Sequence, residues 1–371
     1  MSARRVVLAP DSFKGSIAAA EAASALAAGW HDADPDADLV LRPMADGGEG
    51  TLDAFAVAVP GARRIRVAVP PPAGTGPGID AEWLLLPPTP DAPAGTGVVE
   101  LAATCGIELF GDARDPWHAS TEGFGVAIAA ALDAGVSRLV LAIGSSASTD
   151  GGAGMLRALG GRFTGDDGAR GAAHLAAVDA VDPTGLRPLP PAGAVVLTDV
   201  TNPLLGPRGA AAVFGPQKGF SPDEIADVDA ALARYAALFD VDPETPGAGA
   251  AGGTGFALLA WGARLVPGAS EVARLVGLSE VVATASVVVT GEGAYDGQSA
   301  AGKAPAHAAA LAADAGVPAA LVAGRIDPGA DTAAFAASVS LTELAGSPEA
   351  ALAEPARWLR VASAELAARL R

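Results

Sequence analysis

The three lysines of the chain each have a glycine as a direct sequence neighbour. They are Lys14, Lys218 and Lys303, and the other basic residues, from a total of 24, are arginines. A lysine carries a compact ammonium on a flexible stem, which suits contact with a phosphate or a carboxylate. The pattern predicts anion binding by these lysines, against the alternative of chance proximity to some of the 47 glycines.

The stretch Val287–Lys303, VVVTGEGAYDGQSAAGK, joins an apolar strand to acids, glycines and a lysine. We expect a strand over residues 286–290 and then a loop that carries Glu292 and Asp296. Ligands of open α/β sheets bind beyond the carboxyl ends of the strands, so this loop is a predicted site. Gly297–Ala304 resembles a Walker A loop, but alanine replaces its Ser/Thr and it begins seven residues past the strand. It is therefore not predicted to be a true P-loop, although it can present its lysine to a phosphate.

The start of the chain repeats the order strand, loop, helix. Residues 4–9 form a predicted strand, followed by PDSFKGS and a helix from Ile17 to about Trp30 with Ser16 as its N-cap. Residues 37–44 form a second strand that leads into the loop DGGEG at 46–50. This order is typical of βα units in a parallel sheet.

Two further glycine-rich loops favour anion binding. GSSASTDGGAG, Gly144–Gly154, follows a buried strand and opens a helix, so its amides, hydroxyls and helix dipole suit an anion. A plain glycine-rich turn is the alternative. PGAGAAGGTG, Pro246–Gly255, contains G-x-G-x-x-G, but no strand precedes it, which argues against a dinucleotide fingerprint. It remains a candidate phosphate contact.

Composition excludes several classes of protein. The net charge of −18 disfavours nucleic acid and anionic membranes as partners. The single Cys105 excludes an intramolecular disulfide and a cysteine-rich zinc site, and the four histidines lack the spacing of a zinc protease. Without a signal peptide or a membrane-length apolar run, the expected location is cytoplasmic. The oligomeric state stays open, a homodimer included.

The length of 371 residues exceeds what one core usually supports, so two domains are expected. A Pro- and Gly-rich texture over residues 63–101 predicts short antiparallel strands in a second domain. We expect residues 1–65 plus 284–371 to form a discontinuous parallel α/β domain, and residues 66–283 an inserted α/β domain.

The motifs in their order resemble those of the bacterial type-1 glycerate kinase family. The matching segments run from about Val6 to Arg325 and read LAPDSFKGS, MADGGEGT, STEGFG, IGSSASTDGGAG, TDVTNPLLG, FGPQKG, PGAGAAGGTG and TGEGAYDGQSAAGK. The resemblance implies phosphorylation of D-glycerate by ATP with Mg²⁺. It also implies a Rossmann-like parallel-sheet domain interrupted by a second, mixed α/β domain, with the active site in the cleft between the two.

Candidate roles follow from the motifs and the resemblance together. Asp199 or Asp296 would orient or deprotonate the glycerate hydroxyl, Lys303 would act on the transferring phosphate, and Glu292 and Asp46 would hold Mg²⁺. The remaining candidates for substrate or phosphate binding are Asp11, Ser12, Lys14, Asp46, Gly47, Gly48, Ser145, Ser146, Asp150, Gly151, Gly152, Asn202, Lys218, Gly252, Gly253, Gly291 and Gly302.

Several alternatives stay open from the sequence. The acceptor could be the 2- or the 3-hydroxyl of glycerate, and another small hydroxy acid or sugar acid could replace glycerate. A different class is a non-catalytic two-lobed anion-binding protein, which would bind the ligand without forming ADP. The central expectation is that the glycine turns and the three lysines converge on one nucleotide-binding cleft.

Overall fold

The computed structural model describes residues 4–74, 76–165, 170–297 and 304–370. The chain divides into two compact units. Unit 1 consists of Met1–Asp46, Asp53–Pro60 and Ala269–Arg371, and unit 2 of Gly47–Leu52 and Gly61–Gly268. The boundaries expected from the sequence, 65/66 and 283/284, stay a prediction.

Unit 1 is built on a parallel sheet. Its strands, as far as the structure describes the chain, are β1 (Arg5–Pro10), β2 (Asp38–Leu41), β11 (Val287–Tyr295), β12 (Ala319–Ile326) and β13 (Ala337–Ser340). They lie in the order β13-β12-β11-β1-β2, and every neighbouring pair is parallel. All five carboxyl ends therefore lie at one edge of the sheet, as the repeated strand–loop–helix order predicts.

Helices cover both faces of this sheet. They are α1 (Ala19–Ala33), α11 (Leu278–Val282), α12 (Ala304–Asp314), α13 (Leu341–Ala345), α14 (Pro348–Ala353) and α15 (Pro355–Arg369), together with parts of α2 (Thr51–Ala58) and α10 (Gly268–Leu275). On one face Leu26, Leu359 and Leu366 pack over alternate strand residues such as Val289. The residues between them point to the other face, where α12 packs on β11.

Unit 2 contains a mixed sheet. Its strands are β3 (Arg63–Val69), β4 (Ile79–Leu86), β5 (Thr96–Glu100), β6 (Arg138–Ala142), β9 (Ala194–Leu197) and β10 (Arg264–Val266), in the order β10-β9-β6-β5-β4-β3. The pairs from β10 to β5 are parallel, whereas β3–β4 and β4–β5 are antiparallel. The antiparallel strands expected from the Pro- and Gly-rich segment are thereby confirmed, as is the mixed sheet.

The helices of unit 2 enclose apolar cores. They are α3 (Ala102–Cys105), α4 (Glu122–Asp133), α5 (Ala153–Ala158), α6 (Ala172–Leu175), α7 (Ala210–Lys218), α8 (Ile225–Ala236) and α9 (Ala250–Ala260), with 3₁₀ turns at Ile107–Phe110 and Pro183–Gly185. A small hairpin pairs β7 (Arg162–Thr164) with β8 (Ala180–Asp182). Phe124, Ile128 and Leu141 lie in one core, and Phe220, Leu232 and Phe256 lie in a second.

Two local predictions were wrong. The strand at Val287 does not end at residue 290 but continues to Tyr295, because its ladder with β12 extends to the pair Tyr295–Ile326. Helix α1 begins at Ala19, and no side chain caps it. Ile17 instead exchanges two backbone hydrogen bonds with Phe13, so its backbone groups close the preceding loop and do not begin the helix.

Pro355 separates the last two helices, because α14 ends at Ala353 and α15 starts at Pro355. Within the four described ranges, none of the helices combines the length and the apolar character that crossing a bilayer requires.

Candidate active site

The loop after β1 forms a compact turn in unit 1. The backbone N–H of Asp11 donates to the Gly291 carbonyl at 2.8 Å, which fixes the loop to the neighbouring strand. The Asp11 carboxylate accepts the Ser12 N–H at 2.6 Å. Phe13 is buried, whereas Lys14 is exposed at the tip beside Gly15, whose φ is +74°. The ammonium of Lys14 is therefore presented to solvent beyond the carboxyl end of β1.

Glycine at position 291 is required by the sheet itself. A Cβ there would lie 2.0 Å from the Val322 carbonyl oxygen of β12, so any side chain would push the strands apart. Glu292 follows within the strand, and its side chain is buried. Burial, and then the charges of Glu292 and Asp331, raise the pKa of Tyr295, which stays a neutral phenol. Glu292 thus lies in the sheet and not on a loop.

The remaining candidates of unit 1 differ in how far the structure describes them. Asp46 is exposed after β2, and Asp296 is half-buried after β11. Lys303, predicted to act on the transferring phosphate, and Gly302, predicted to bind substrate or phosphate, lie outside the described residues. Their roles stay predictions.

In unit 2, Asp150 organises the loop between β6 and α5. Its carboxylate is buried and accepts four hydrogen bonds, from the Thr121 N–H and hydroxyl at 2.8 Å each and from the N–H groups of Gly152 at 3.0 Å and Gly154 at 3.3 Å. The Thr121 hydroxyl also accepts the Met155 N–H at 2.9 Å. A carboxylate at the start of α5 is stabilised by these donors and by the helix dipole. Asp150 therefore positions the loop.

Lys218, the last residue of α7, is a buried lysine beside this loop. Its ammonium donates to the Ser148 carbonyl, and its side chain is 4% exposed. Burial lowers the pKa of Lys218 to about 8, and the negative charge of Asp150 opposes this shift. Burial and Asp150 in turn raise the pKa of the Cys105 thiol to about 12, so the thiol stays protonated. The lysine therefore binds the loop through a charge that is costly to bury.

The third glycine-rich segment lies against the same ammonium. Ala251, Gly252 and Gly253 have successive positive φ values of +52°, +65° and +90°. An added Cβ at Gly252 would lie 2.1 Å from the Ser148 carbonyl oxygen and 2.9 Å from Lys218 Nζ. The Gly151 N–H also donates to the Gly252 carbonyl at 3.0 Å. The structure therefore brings Asp150, Gly151, Gly152, Lys218, Gly252 and Gly253 together in unit 2.

The serines at the start of the loop are arranged differently. Ser145 is exposed and has a φ of +58°, an uncommon conformation for a residue other than glycine. Ser146 is buried, and its hydroxyl lies 2.8 Å from the Ser148 hydroxyl. Strained backbone of this kind is frequent at ligand sites, so Ser145 is the serine best presented to a ligand.

The DGGEG segment packs on strand ends of unit 2. A Cβ at Gly47 would lie 2.5 Å from the Leu197 carbonyl oxygen, and one at Gly144 would lie 2.5 Å from Gly48 Cα. Close backbone approach therefore explains these glycines. Glu100, for which no role was predicted, accepts the Gly50 N–H at 3.2 Å and the Leu52 N–H at 3.0 Å through its carboxylate. The sequence signal that could have indicated this role is the position of Glu100, an acid at the end of the apolar strand β5.

Two candidates follow β9. Asp199 is exposed, and its Oδ1 accepts the Gly268 N–H at 2.9 Å, which orients the carboxylate. Asn202 donates through its side-chain Nδ2 to the Arg208 carbonyl at 2.8 Å, and the backbone carbonyl of Asn202 accepts the Gly249 N–H at 3.0 Å. Asn202 therefore joins two segments of unit 2. Thr121 holds Asp150 through its N–H and its hydroxyl, and no role was predicted for this residue either.

Taken together, these features define a two-unit α/β protein whose glycine-rich, hydroxyl-bearing loops lie at the carboxyl ends of parallel strands. The model of the glycerate kinase family matches residues 6–371. The chain therefore belongs to the glycerate kinase family.

Known proteins agree with this assignment. The chain is 40% identical over 319 residues to glycerate 2-kinase of Escherichia coli K12, covering 83% of this chain and 82% of that protein. It is 40% identical over 333 residues to glycerate kinase of Bacillus subtilis 168, covering 87% and 85%. A solved structure of a glycerate kinase 2 candidate from Salmonella typhimurium LT2 has a TM-score of 0.82 and 37% identity, covering 99% of this chain and 98% of that one.

Proposed function

We propose that this protein transfers the γ-phosphoryl group of ATP to a hydroxyl of D-glycerate, giving ADP and 2-phosphoglycerate or 3-phosphoglycerate. The observation that carries the proposal is the family match over residues 6–371, which includes every strand-end loop described above. Phosphoryl transfer asks mainly for positioning and charge neutralisation, which glycine-rich turns and lysines can supply. A cytoplasmic location belongs to the same proposal, because the reaction consumes ATP.

In unit 1, the loop after β1 and the end of β11 would bind substrate groups. Lys14 is exposed and free to turn toward a phosphate or the glycerate carboxylate. Asp11 and Ser12 lie beside it, and Lys303 and Gly302 would add a second cationic contact. Asp296, half-buried after β11, is one of two candidates for the group that accepts the glycerate proton.

In unit 2, Asp199 is the other candidate for the base. Its orientation by the Gly268 N–H leaves an exposed carboxylate, as a base that must reach a substrate hydroxyl requires. Lys218, Ser145 and the glycines around Gly252 would form the anion-binding part of this unit. Asp150 would act through the loop that it holds.

Mg²⁺ fits the donor set of unit 1. Glu292, buried within β11, and Asp46, exposed after β2, supply hard carboxylate oxygens. Mg²⁺ in kinases is usually held by one or two carboxylates together with phosphates and water. No cluster of three or more His, Cys, Asp or Glu occurs in the part of the chain that the structure describes, so an all-protein cage is not expected there. When bound, the ion would neutralise charge on the phosphates.

An ADP-release assay tests the proposed activity. The protein is incubated with ATP, Mg²⁺ and one acceptor at a time: D-glycerate, L-glycerate, lactate or gluconate. We expect ADP formation to be fastest with D-glycerate. Faster reaction with another acid would assign the scaffold to that substrate, and binding of glycerate without ADP formation would favour a non-catalytic anion-binding protein.

The base is tested by Asp199→Asn, which keeps an oxygen for the Gly268 N–H but removes the basic carboxylate. We expect kcat to fall about a hundredfold or more, with the KM values for ATP and glycerate little changed. Asp296→Asn is the parallel variant, and the larger loss identifies the base. An unchanged kcat in both variants would exclude both assignments.

A further inference from the structure

A cavity of about 340 Å³ lies in unit 1 at the carboxyl ends of β12 and β13. Its lining residues are Ile326, Asp327, Pro328, Ala330, Thr332, Ser338, Ser340 and Glu343. None of them belongs to the candidate site residues discussed so far. Ligand pockets span roughly 300–1,000 Å³, so this volume suits one ring of a substrate and not a whole nucleoside triphosphate.

The cavity exists because two neighbouring strands end at different heights. β13 ends at Ser340, which pairs with Ala323, whereas β12 continues to Ile326 along β11. The last residues of β12 therefore have no partner strand on the β13 side. Ser338 and Ser340 are two residues apart on β13, so both side chains point to one face of the sheet.

The wall formed by residues 327–335 is held in place by the protein itself. The Tyr295 hydroxyl donates to the Asp331 carbonyl at 3.1 Å, and its ring packs edge-on against Phe335 at 5.7 Å. The Asp327 carboxylate accepts the Gly329 N–H at 3.0 Å through Oδ1. The cavity is therefore formed before a ligand binds.

Several polar groups of the lining have unused hydrogen-bonding capacity. Ser340 is 5% exposed, and its hydroxyl accepts the Glu343 N–H at 3.4 Å but donates to no other described residue. Within the described ranges, the hydroxyls of Thr332 and Ser338 and the second carboxylate oxygen of Asp327 also make no hydrogen bond. Thr332, Ser338 and Asp327 are half-buried, so these groups can form hydrogen bonds with a ligand that carries hydroxyl groups.

The charge of the lining selects the kind of ligand. Among the described residues, the lining contains the carboxylates of Asp327 and Glu343 and no lysine, arginine or histidine. Its negative charge therefore repels a phosphate or the carboxylate of glycerate. A metal ion is disfavoured as well, because no three-acid cluster occurs among the described residues. A neutral sugar diol suits this cavity. Its hydroxyls can donate hydrogen bonds to the carboxylates, and its carbon atoms can pack against Ile326 and Pro328. Carboxylates bind ribose in this way in dinucleotide-binding folds.

We propose that this cavity binds the ribose of ATP, with Asp327 accepting hydrogen bonds from the 2′- and 3′-hydroxyls. The inference rests on the proposed function, since it takes ATP as the phosphoryl donor. It assigns the sugar of the nucleotide to unit 1, in a cavity whose negative charge directs the phosphates elsewhere.

The test measures binding of ATP and of 2′,3′-dideoxy-ATP to the full chain by calorimetry in the absence of glycerate. We expect the wild-type protein to bind the dideoxy nucleotide about tenfold to hundredfold more weakly, as expected for hydrogen bonds to a charged group. Asp327→Asn should bind ATP at least several-fold more weakly than wild type and should no longer distinguish the two nucleotides. Asparagine keeps Oδ1 for the Gly329 N–H, so the turn is preserved.

Asp331→Asn is the matched control. Asp331 lies on the same loop and also accepts a backbone N–H, from Ala333 at 2.9 Å, but it does not line the cavity. This variant should bind both nucleotides as wild type does. Equal binding of the two nucleotides by wild type, or an equal loss for both in Asp327→Asn, would overturn the inference.

The two proposals fail separately. A wild-type protein that phosphorylates D-glycerate but ignores the ribose hydroxyls contradicts only the ribose assignment. A protein that discriminates the nucleotides through Asp327 but never phosphorylates D-glycerate contradicts only the proposed acceptor.

Discussion

At the residue scale, the lysines that look alike in sequence have different surroundings. Lys14 is exposed at a loop tip, whereas Lys218 is buried and bonded to the Ser148 carbonyl. Their common glycine neighbour was the sequence signal, and it carries no information on burial. The Lys218 ammonium is enclosed by residues distant in sequence, such as Ser148 and Gly252, which a local pattern does not contain.

Lys218 should make stability depend on pH. Its pKa is lowered from 10.5 to about 8 in the folded protein, so above pH 8 the unfolded chain binds more protons than the folded one. The charge therefore costs stability below pH 8, and this cost is relieved as pH rises toward 10.5. Between pH 7 and pH 9 the relief amounts to about 1.4 kcal/mol.

Lys218→Met tests this by urea unfolding at several pH values. The variant should lack the rise in unfolding free energy that the wild-type protein shows between pH 7 and pH 9. Lys14→Met, which removes an exposed ammonium, should keep the wild-type slope. Parallel curves for wild type and Lys218→Met would contradict a neutralised buried lysine.

Asp150 should contribute to stability through its four donors. In Asp150→Asn an amide N–H₂ faces N–H and O–H donors, so we expect about 2–4 kcal/mol of lost stability. The thermal unfolding midpoint measures the effect. Asp182→Asn, at an exposed turn where asparagine can still accept the Thr184 N–H, should change stability by less than about 0.5 kcal/mol. Equal midpoints for the two variants would show that Asp150 is dispensable for the loop.

At the element scale, the strands of the parallel sheets were predictable and their ends were not. Runs such as Val287–Val289 identify a strand by β-branched apolar residues. The glycines after Thr290 indicated a loop, yet they lie in the strand because β12 approaches too closely for a side chain. Such an approach depends on a partner about 30 residues away, so a local reading of glycine gave the wrong end.

Gly291→Ala tests this explanation of the strand. The new methyl would meet the Val322 carbonyl, so the sheet must deform, and we expect a loss of at least about 2 kcal/mol. Differential scanning calorimetry would detect the lower midpoint. Gly297→Ala adds the same methyl where no atom of the described residues lies within 4 Å, and it should leave the midpoint nearly unchanged. A stable Gly291→Ala protein would mean that the glycine serves another purpose.

At the scale of the whole molecule, the functional assignment was based on the composition and on the order of the motifs. The acidic balance, with 42 acids against 24 basic residues, argued against nucleic acid, and the ordered motifs resembled one family, whose model then matched residues 6–371. The sequence could not reveal the cavity near Asp327, because its lining comes from strand ends and a loop that carry no motif. The convergence of the three lysines stays a prediction.

Phosphorus NMR shows whether the protein transfers phosphate from ATP to D-glycerate. The purified protein is incubated with ATP, Mg²⁺ and D-glycerate, and the spectrum is followed with time. We expect loss of ATP matched by equal amounts of ADP and of one phosphoglycerate ester, whose coupling pattern identifies the 2- or 3-position. ATP that stays intact, or is hydrolysed to inorganic phosphate without an ester, would contradict it.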